Sequence, residues 1–268
     1  MKNSKLNTIH ELNCIEGMKS LPDEFADLII ADPPYNIGKD FGIWKEKDHE
    51  DHWLSWSKLW LDEAKRILKP GGNIFVYGIH HHLCWLHCYM YELKLDYRRQ
   101  IIWFYENGFA GYSKRTLAAH YEPLLWFSKG KNYTYNPIRE PYKSQDRLKY
   151  KITKNGKEWK PHPDGRLAGD VWKFPVLAGK RFQKEKVDHP TQKPLSITLR
   201  IIRHFSNEGD LVIVPFVGSG TECLAAFMEG RKFLGYEINP DYIAIANDRI
   251  KQWENQMPIF HSQDNQDQ

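Results

Sequence analysis

Residues 26–35 read Ala-Asp-Leu-Ile-Ile-Ala-Asp-Pro-Pro-Tyr, an apolar run that ends in a carboxylate, two prolines and an aromatic ring. The run is short and rich in Ile, which is typical of a buried strand. Proline lacks a backbone N–H, and Pro34 pushes Pro33 toward an extended backbone, so we expect the Pro33 carbonyl to lie beside the Asp32 carboxylate. These two acceptors suit an amine with two N–H donors, and Tyr35 offers a face on which a base can stack. Taken alone, the tetrapeptide also fits an ordinary turn.

A second strand, followed by a glycine turn, lies far downstream. Residues 211–216 are apolar, and Gly218-Ser219-Gly220-Thr221 comes shortly after them, at the start of a segment whose apolar periodicity predicts a helix. Glycines at such a turn let a ligand approach the backbone closely. The next strand ends in Glu237, about 20 positions after the glycines, where a carboxylate can bind a ribose diol. The third glycine of the dinucleotide pattern is absent, which favours a nucleoside ligand without a pyrophosphate.

The order of the motifs gives a resemblance to a known family. The tetrapeptide comes first, a basic region follows, and His189-Pro190-Thr191-Gln192-Lys193-Pro194 then precedes the glycine turn. Over nearly the whole chain, this order resembles that of the beta-type amino-group DNA methyltransferases. The resemblance implies an α/β fold with the doubly wound, Rossmann-like sheet of the S-adenosylmethionine-dependent methyltransferases. It also implies the permuted order, in which the catalytic half precedes the cofactor half, and a basic target-recognition insert.

The same resemblance divides the chain into segments. It implies a catalytic half at 8–128, a target-recognition insert at 129–188 and a cofactor-binding half at 189–254. The last residues, 255–268, end in a polar run, so we expect a disordered tail there.

The activity that the resemblance implies is site-specific DNA methylation. A methyl group passes from S-adenosyl-L-methionine to the exocyclic N6 amine of an adenine that is flipped out of double-stranded DNA. Asp32 is similar to the adenine enzymes, whereas cytosine-N4 enzymes more often have Ser there. Two alternatives stay open: a cytosine-N4 methyltransferase, and a methyltransferase-like DNA-binding subunit without activity. The second arises because the family usually has Asp where Val214 stands and Thr where Glu222 stands.

The resemblance also implies site residues. The implied catalytic residues are Asp32, Pro33, Pro34 and Tyr35. The implied cofactor-binding residues are Asn13, Cys14, Asp32, His189, Thr191, Lys193, Phe216, Gly218, Ser219, Gly220, Thr221 and Glu237. As a compact cation, Lys193 suits the cofactor carboxylate. We further expect that Asp in place of Val214 would tighten cofactor binding, unless Val214 is buried among apolar neighbours.

Positive charge is concentrated in one segment. The chain has a formal net charge of +4, but residues 129–186 contain 16 Lys and Arg against 6 Asp and Glu, so the rest of the chain is acidic. Composition alone would fit a solvated basic loop. The segment also contains many aromatic residues and lies where the family keeps its target-recognition region, so we expect it to contact DNA. The candidate DNA-binding residues are Lys114, Arg115, Arg139, Lys143, Arg147, Lys149, Lys151 and Lys154.

Composition limits the remaining classes. Hydrophobic residues make up 41% of the 268 residues, enough for a core, and no apolar run approaches the length of a membrane span. The four cysteines are scattered, which favours reduced thiols and a cytoplasmic location. His80 to Cys88 contain metal-binding residue types, but zinc sites usually need a second segment, so we expect a helix with buried thiols and no metal. Beyond DNA, the sequence leaves a homodimer and a cognate restriction endonuclease open as partners.

Overall fold

The structure is a computed structural model that describes residues 6–42, 46, 49–107, 115 and 117–261. Its twelve strands are β1 Thr8–Glu11, β2 Ala26–Ala31, β3 Leu68–Tyr77, β4 Asp96–Tyr105, β5 Tyr121–Ser128, β6 Arg139–Glu140, β7 Ile152–Lys154, β8 Lys157–Trp159, β9 Arg166–Leu167, β10 Val171–Phe174, β11 Leu211–Val214 and β12 Lys232–Glu237. Its six α-helices are α1 Cys14–Lys19, α2 Glu50–Ile67, α3 His80–Glu92, α4 Leu195–Phe205, α5 Thr221–Met228 and α6 Pro240–His261.

Eight strands form the central sheet in the order β1-β12-β11-β2-β3-β5-β4-β10. β5 runs antiparallel to its neighbours β3 and β4, and every other pair in this sheet is parallel. β2 and β11, the strands before the two main motifs, lie side by side. From this pair the chain continues to β3 on one side and to β12 on the other. Ligands of open α/β sheets bind at such a switch point, outside the carboxyl ends of the strands.

Each face of the sheet has its own apolar core. Along β2, Ile29 belongs to one core, whereas Leu28 and Ile30 belong to the other. This alternation follows from the period of two in a strand. The first core includes Trp60 and the helices α1, α2 and α3, and the second includes Ile201 and the helices α4, α5 and α6. Helices on both faces of a mostly parallel sheet confirm the predicted doubly wound α/β fold.

The segment predicted as an insert, 129–188, contributes one strand to the central sheet. Its strand β10 pairs in parallel with β4 and becomes the edge of the central sheet. Only Trp172 of this strand is buried, and Val171 and Lys173 are exposed, so the apolar pattern that would reveal the strand is weak. The insert also contains two small two-stranded sheets, β6 with β9 and β7 with β8.

Two further expectations are corrected. Helix α6 continues to His261, so residues 255–261 are helical where a disordered tail is predicted; the polar run behind that prediction, 262–268, lies outside the described residues. The thiols of Cys84 and Cys88 are exposed, because Leu83, Leu86 and Met90 form the buried face of α3 instead. Among the described residues, no helix combines the length and apolar character needed to cross a bilayer.

Candidate active site

Three distant chain segments bring four polar side chains together beyond the carboxyl end of β2. Asp32 and Tyr35 follow β2, Glu122 lies on β5, and Lys193 lies just before α4. Tyr35 Oη lies 2.6 Å from Asp32 Oδ1 and 2.7 Å from Glu122 Oε1. The Lys193 ammonium lies 2.9 Å from Asp32 Oδ2, 3.1 Å from Glu122 Oε1 and 3.1 Å from Tyr35 Oη. We call these four residues the carboxylate cluster.

Lys193 is held by this cluster. Its side chain is only 5% exposed, and its three ammonium donors have three partners: Asp32, Glu122 and Tyr35. Burial lowers the pKa of Lys193, but the charges of Asp32 and Glu122 outweigh this effect and raise the pKa above its usual value. All three ammonium donors of Lys193 thus have partners within the cluster, and pairing of Lys193 with a cofactor carboxylate stays a prediction.

Hydrogen bonds to the backbone fix the tetrapeptide in place. Trp53 Nε1 donates to the Pro34 carbonyl at 2.8 Å, and His82 Nδ1 donates to the Tyr35 carbonyl at 2.8 Å. The Tyr35 N–H donates to Glu46 Oε1 at 2.6 Å. Asp32 and Tyr35 thus sit on a backbone that α2, α3 and Glu46 hold from outside, which is the rigid support that a preorganised site needs.

Glu46 also shapes the loop that follows the tetrapeptide. Its Oε2 accepts the N–H groups of Ile37 at 2.8 Å and Lys39 at 3.2 Å, and its own N–H donates to the Lys39 carbonyl. The side chain is 2% exposed. One buried carboxylate thus accepts several backbone donors, as in a turn, and folds this loop against the site.

A cavity of about 530 Å³ opens beside the cluster. Its apolar wall includes Trp56, Phe216 and Tyr236, and its acidic groups include Asp32, Glu222 and Glu237, as shown by the lining residues. The remaining predicted site residues that line it are Asn13, Cys14, Pro33, Pro34, Tyr35, His189, Thr191, Lys193, Gly218 and Ser219. Most residues of the predicted site thus surround one cavity at the switch point of the sheet.

The glycine turn lies at one wall of the cavity. Gly218 has φ +47°, and a Cβ there would lie 2.7 Å from His189 Nε2, so a larger residue would displace His189 from the turn. Burial lowers the pKa of His189 to about 4, which keeps its imidazole neutral at pH 7. Gly220 has φ +77°, and a Cβ there would lie 2.5 Å from Ala246 Cβ on α6. Close packing of the turn on α6 therefore requires Gly220.

Two predicted cofactor residues are not part of the cavity wall. Gly220 packs on α6, and Thr221 is fully buried. Thr221 Oγ1 donates to the Lys193 carbonyl at 3.2 Å and accepts from Arg249 at 3.0 Å. Thr221 thus joins the segment that carries Lys193 to helix α5, and a contact of Thr221 with the cofactor stays a prediction.

The residues predicted near the nucleoside already have partners. Glu237 Oε2 accepts the Gly218 N–H at 2.8 Å, and Oε1 accepts the N–H groups of Ile238 and Asn239, both at 2.9 Å. One lone pair of Oε2 remains for a hydroxyl. Asn13 Oδ1 caps α1 through the Ile15 N–H at 2.9 Å. Binding of a ribose by Glu237 stays a prediction.

Sequence reasoning missed Glu122 and Glu46. Glu122 is a carboxylate that directly precedes the apolar run 123–127. An acid at the edge of a buried strand needs a polar partner, so its position alone could have indicated a functional residue. Glu46 lies in a charged stretch of the loop, and no local pattern separates it from its neighbours. Only the fold shows that its carboxylate turns inward.

The predicted DNA-binding residues fall into different settings. Arg139 donates to the Gly165 carbonyl at 2.9 Å and thereby joins two segments of the insert. Lys149 pairs with Asp146 at 2.6 Å, and Lys151 pairs with Glu158 at 2.8 Å, both on the exposed surface. Arg115, Lys143 and Lys154 are exposed, Arg147 lies with its guanidinium 5.7 Å from the Trp159 ring, and Lys114 lies outside the described residues.

Comparison with known proteins identifies the class. A family model described as DNA methylase matches residues 26–248, so the chain belongs to the DNA methylase family. The chain is 34% identical over 263 residues to the type II methyltransferase M1.MboII of Moraxella bovis, covering 93% of this chain and 98% of that protein. It is also 34% identical over 251 residues to the DNA adenine methyltransferase YhdJ of Escherichia coli (strain K12), covering 92% of this chain and 83% of that protein.

Solved structures agree with the fold. The crystal structure of the M1.HpyAVI–SAM complex is similar with a TM-score of 0.62 and 23% identity, over 91% of this chain and 98% of that one. The PvuII DNA methyltransferase (cytosine-N4-specific) is similar with a TM-score of 0.67 and 17% identity, over 90% and 85% of the two chains. At these identities the likeness shows the fold alone.

Proposed function

We propose that this DNA methylase transfers a methyl group from S-adenosylmethionine to the exocyclic N6 amine of an adenine flipped out of double-stranded DNA. The observation that supports this proposal most directly is the position of the Asp32 carboxylate, which lines the cavity and is held there by Tyr35 and Lys193. Asp at this position, together with similarity to a protein named a DNA adenine methyltransferase, supports adenine over cytosine.

Asp32 and the Pro33 carbonyl act on the target amine. The lone pair of an exocyclic amine is delocalised into the ring, which makes the amine a weak nucleophile. Hydrogen bonds from its two N–H groups to Asp32 and the Pro33 carbonyl favour tetrahedral nitrogen and stabilise the positive charge that develops there. Because Asp32 is already oriented, this stabilisation needs little reorganisation during the reaction.

The cavity suits the sulfonium nucleoside in charge and shape. It is mostly apolar, which fits a purine, and it contains the acidic residues Asp32, Glu222 and Glu237, which fit a ligand with an ammonium and a sulfonium. Glu237 has one acceptor position for the ribose, and Gly218 and Ser219 present backbone to the amino-acid end. When bound, S-adenosylmethionine would supply the methyl group as a cation equivalent, with the electron pair of the broken C–S bond staying on sulfur. The methylated amine then loses one N–H proton to water, so that the product base is neutral.

The insert provides a surface for DNA. Tyr150, just before β7, and Trp159, on β8, are 65% and 50% exposed, and within two residues of them along the chain lie Lys149, Lys151, Lys157 and Lys160. Exposed aromatic rings among cations suit stacked bases and phosphates. We therefore place the DNA duplex against the insert, with the flipped base reaching Asp32.

Nucleoside analysis of DNA from a host that expresses the protein tests this function. We expect N6-methyladenine with the wild-type chain and none with Asp32→Ala, while Asp248→Ala, an exposed acid on α6, matches the wild type. N4-methylcytosine in place of N6-methyladenine would overturn the adenine assignment. Absence of both from the wild-type sample, with folded protein present, would overturn the activity.

The partners beyond DNA follow from the relatives. Similarity to a type II methyltransferase supports pairing with a restriction endonuclease of the same recognition sequence, in a cytoplasmic setting. Resistance of methylated plasmid to that endonuclease tests this pairing.

A homodimer is a separate proposal, and light scattering of the free protein decides it.

A further inference from the structure

Three oxygen atoms in the carboxylate cluster lie in a chain of short contacts. Tyr35 Oη is the middle atom, with Asp32 Oδ1 at 2.6 Å and Glu122 Oε1 at 2.7 Å. Both separations are typical of O–H···O hydrogen bonds. Each of the two contacts therefore needs a hydrogen.

Only one of those hydrogens can come from Tyr35. A phenol has a single O–H donor, and that hydrogen reaches only one acceptor with a good angle. The other contact would bring a lone pair of Tyr35 against a carboxylate oxygen. Lys193 does not remove this conflict, because it donates to Tyr35 Oη from the side at 3.1 Å. A second proton must therefore lie between Tyr35 and one of the two carboxyl groups.

A proton on Glu122 satisfies every atom of the cluster. Glu122 Oε1–H then donates to Tyr35 Oη, and the Tyr35 hydroxyl donates to Asp32 Oδ1. Lys193 uses its three donors on Asp32 Oδ2, Glu122 Oε1 and Tyr35 Oη. Tyr35 Oη thereby accepts two hydrogen bonds and donates one, which is its full capacity. The buried group holds one Asp32 carboxylate and one Lys193 ammonium, and its net charge is zero.

The surroundings select Glu122 over Asp32 as the proton carrier. Asp32 lines the cavity that suits a cationic ligand, whereas Glu122 lines a neighbouring cavity together with Trp103 and Tyr105. The groups that face Glu122 are Asp32 and Tyr35 from the loop after β2, Tyr105 from β4, Tyr77 from β3 and Lys193 from the segment before α4. Burial raises the pKa of Glu122, the Lys193 charge opposes this shift, and the Asp32 charge adds to it, so the pKa lies above its usual value.

We propose that Glu122 is a positioning residue that works in its protonated form, by directing the Tyr35 hydroxyl toward Asp32. Asp32 then remains the ionised acceptor and keeps one orientation while the target amine gains positive charge. If Glu122 loses its proton, the Tyr35 hydroxyl can donate to Glu122 instead, and Asp32 Oδ1 loses its donor, which leaves Lys193 on Oδ2 as the remaining cluster partner of Asp32. This inference rests on the proposed methyl transfer but concerns a residue outside the tetrapeptide.

Two variants of nearly equal size separate the possible roles. Glu122→Gln keeps an N–H donor for Tyr35 Oη and cannot ionise, although its amide nitrogen cannot accept the bond from Lys193, which keeps Asp32 and Tyr35 as partners. Glu122→Leu removes both the donor and the acceptor. We expect Glu122→Gln to methylate DNA in single turnovers within about threefold of the wild type. We expect Glu122→Leu to be slower by at least about tenfold, the effect of leaving a buried polar group without its partner. Tyr105→Phe serves as the control, because it removes the bond to Glu122 Oε2 and keeps the carboxyl group.

The pH dependence supplies the second readout. The wild-type rate should fall as the pH rises through the raised pKa of Glu122, and Glu122→Gln should lack this fall. In the free protein, infrared difference spectra between wild type and Glu122→Gln should show a protonated carboxyl band that disappears over the same pH range. This readout needs no activity.

The outcomes distinguish this inference from the proposed function. Failure of the wild-type protein to methylate any DNA contradicts the function itself. With an active wild type, a Glu122→Gln variant as slow as Glu122→Leu would show that a neutral donor at position 122 is not sufficient, and would overturn the proposal. An unchanged alkaline fall in Glu122→Gln, or no carboxyl band in the free protein, would overturn it equally. The pH profile and the carboxyl band decide the proposal even if Glu122→Leu fails to fold.

Discussion

Among single residues, the carboxylates of the candidate site are the groups with the most unusual surroundings. Asp32, Glu122 and Glu222 are all buried or half-buried beyond the carboxyl ends of the central strands. Two of them share Lys193. Burial raises the pKa of Glu222 to about 7, and the nearby Asp32 charge adds to this shift. The site is therefore already rich in acidic groups, and a further one would be costly.

Val214→Asp tests whether the site tolerates a further buried carboxylate. Val214 is fully buried within the second core, so the sequence-based expectation of tighter cofactor binding is replaced here by a loss of stability. An unpaired buried charge costs about 3–5 kcal/mol. We expect the free energy of unfolding to fall by about that amount in urea titrations, while the neutral Val214→Asn loses less. A Val214→Asp protein as stable as the wild type, with a lower Kd for S-adenosylmethionine by calorimetry, would contradict this assignment.

Among the secondary-structure elements, the sequence predicts where strands end, but it does not predict which side chains of other strands meet the residues at those ends. Asp32 and Glu237 each follow an apolar run, and the sequence placed them correctly at the cavity because both runs end at one edge of the sheet. Glu122 comes from an antiparallel strand whose start, not its end, reaches that edge. Its meeting with Lys193 depends on strand order, which the local pattern does not contain.

The loop after the tetrapeptide provides an element-scale prediction. Glu46 accepts the N–H groups of Tyr35, Ile37 and Lys39, so Glu46→Gln loses the charge of these bonds and replaces an acceptor by a donor. We expect cofactor binding to weaken by about 1.5–3 kcal/mol, the value of hydrogen bonds to a charged group. Calorimetry measures this change, and Glu16→Gln on the exposed side of α1 is the matched control. Equal Kd values for Glu46→Gln and the wild type would show that the loop does not shape the cavity.

Helix α4 and the start of the insert are joined by a pH-sensitive contact. His204 Nδ1 donates to the Asn136 carbonyl at 2.6 Å, and burial lowers the pKa of His204 to about 4. The unfolded chain binds the proton near pH 6.5, so stability is complete above that pH and is lost as the pH falls toward 4. At pH 5 the loss from this group is about 2 kcal/mol.

Denaturant titrations at pH 7 and pH 5 check this prediction. His204→Asn should lose less stability than the wild type between the two pH values, since it has no imidazole to protonate. His52→Asn, at an exposed position of α2, should behave as the wild type does. The same loss in His204→Asn and wild type would show that other groups control acid stability.

Across the whole molecule, the basic segment and the acidic cavity belong to different parts of the chain. The excess positive charge lies in the insert, and the central sheet carries the acidic cavity. This arrangement could be predicted from the sequence, because composition along the chain is independent of folding. The pairing of β10 with the edge of the sheet could not be predicted, since Trp172 is the buried residue of this short strand and its apolar pattern is weak.

DNA binding tests the assignment of the insert. Lys149, Lys151 and Lys154 are exposed, and the ion pairs of the first two are surface pairs that phosphates can replace. Changing all three to Gln should reduce the slope of log K against log salt by about 2–3, at roughly 0.9 per phosphate contact. A control with Lys19, Lys94 and Lys251 changed to Gln removes the same charge from exposed positions elsewhere. Equal slopes for the two triple variants would contradict a DNA surface at the β7–β8 hairpin.

The single-turnover rate of Asp32→Ala on DNA, measured together with the Kd for S-adenosylmethionine of the same protein, decides whether Asp32 activates the target amine. We expect a rate loss of at least about 100-fold, typical of removing one preorganised polar group from a transition state, with Kd changed far less. Asp248→Ala should match the wild type in both quantities. A folded Asp32→Ala protein that keeps a large share of the wild-type rate would show that the carboxylate after β2 does not activate the target amine.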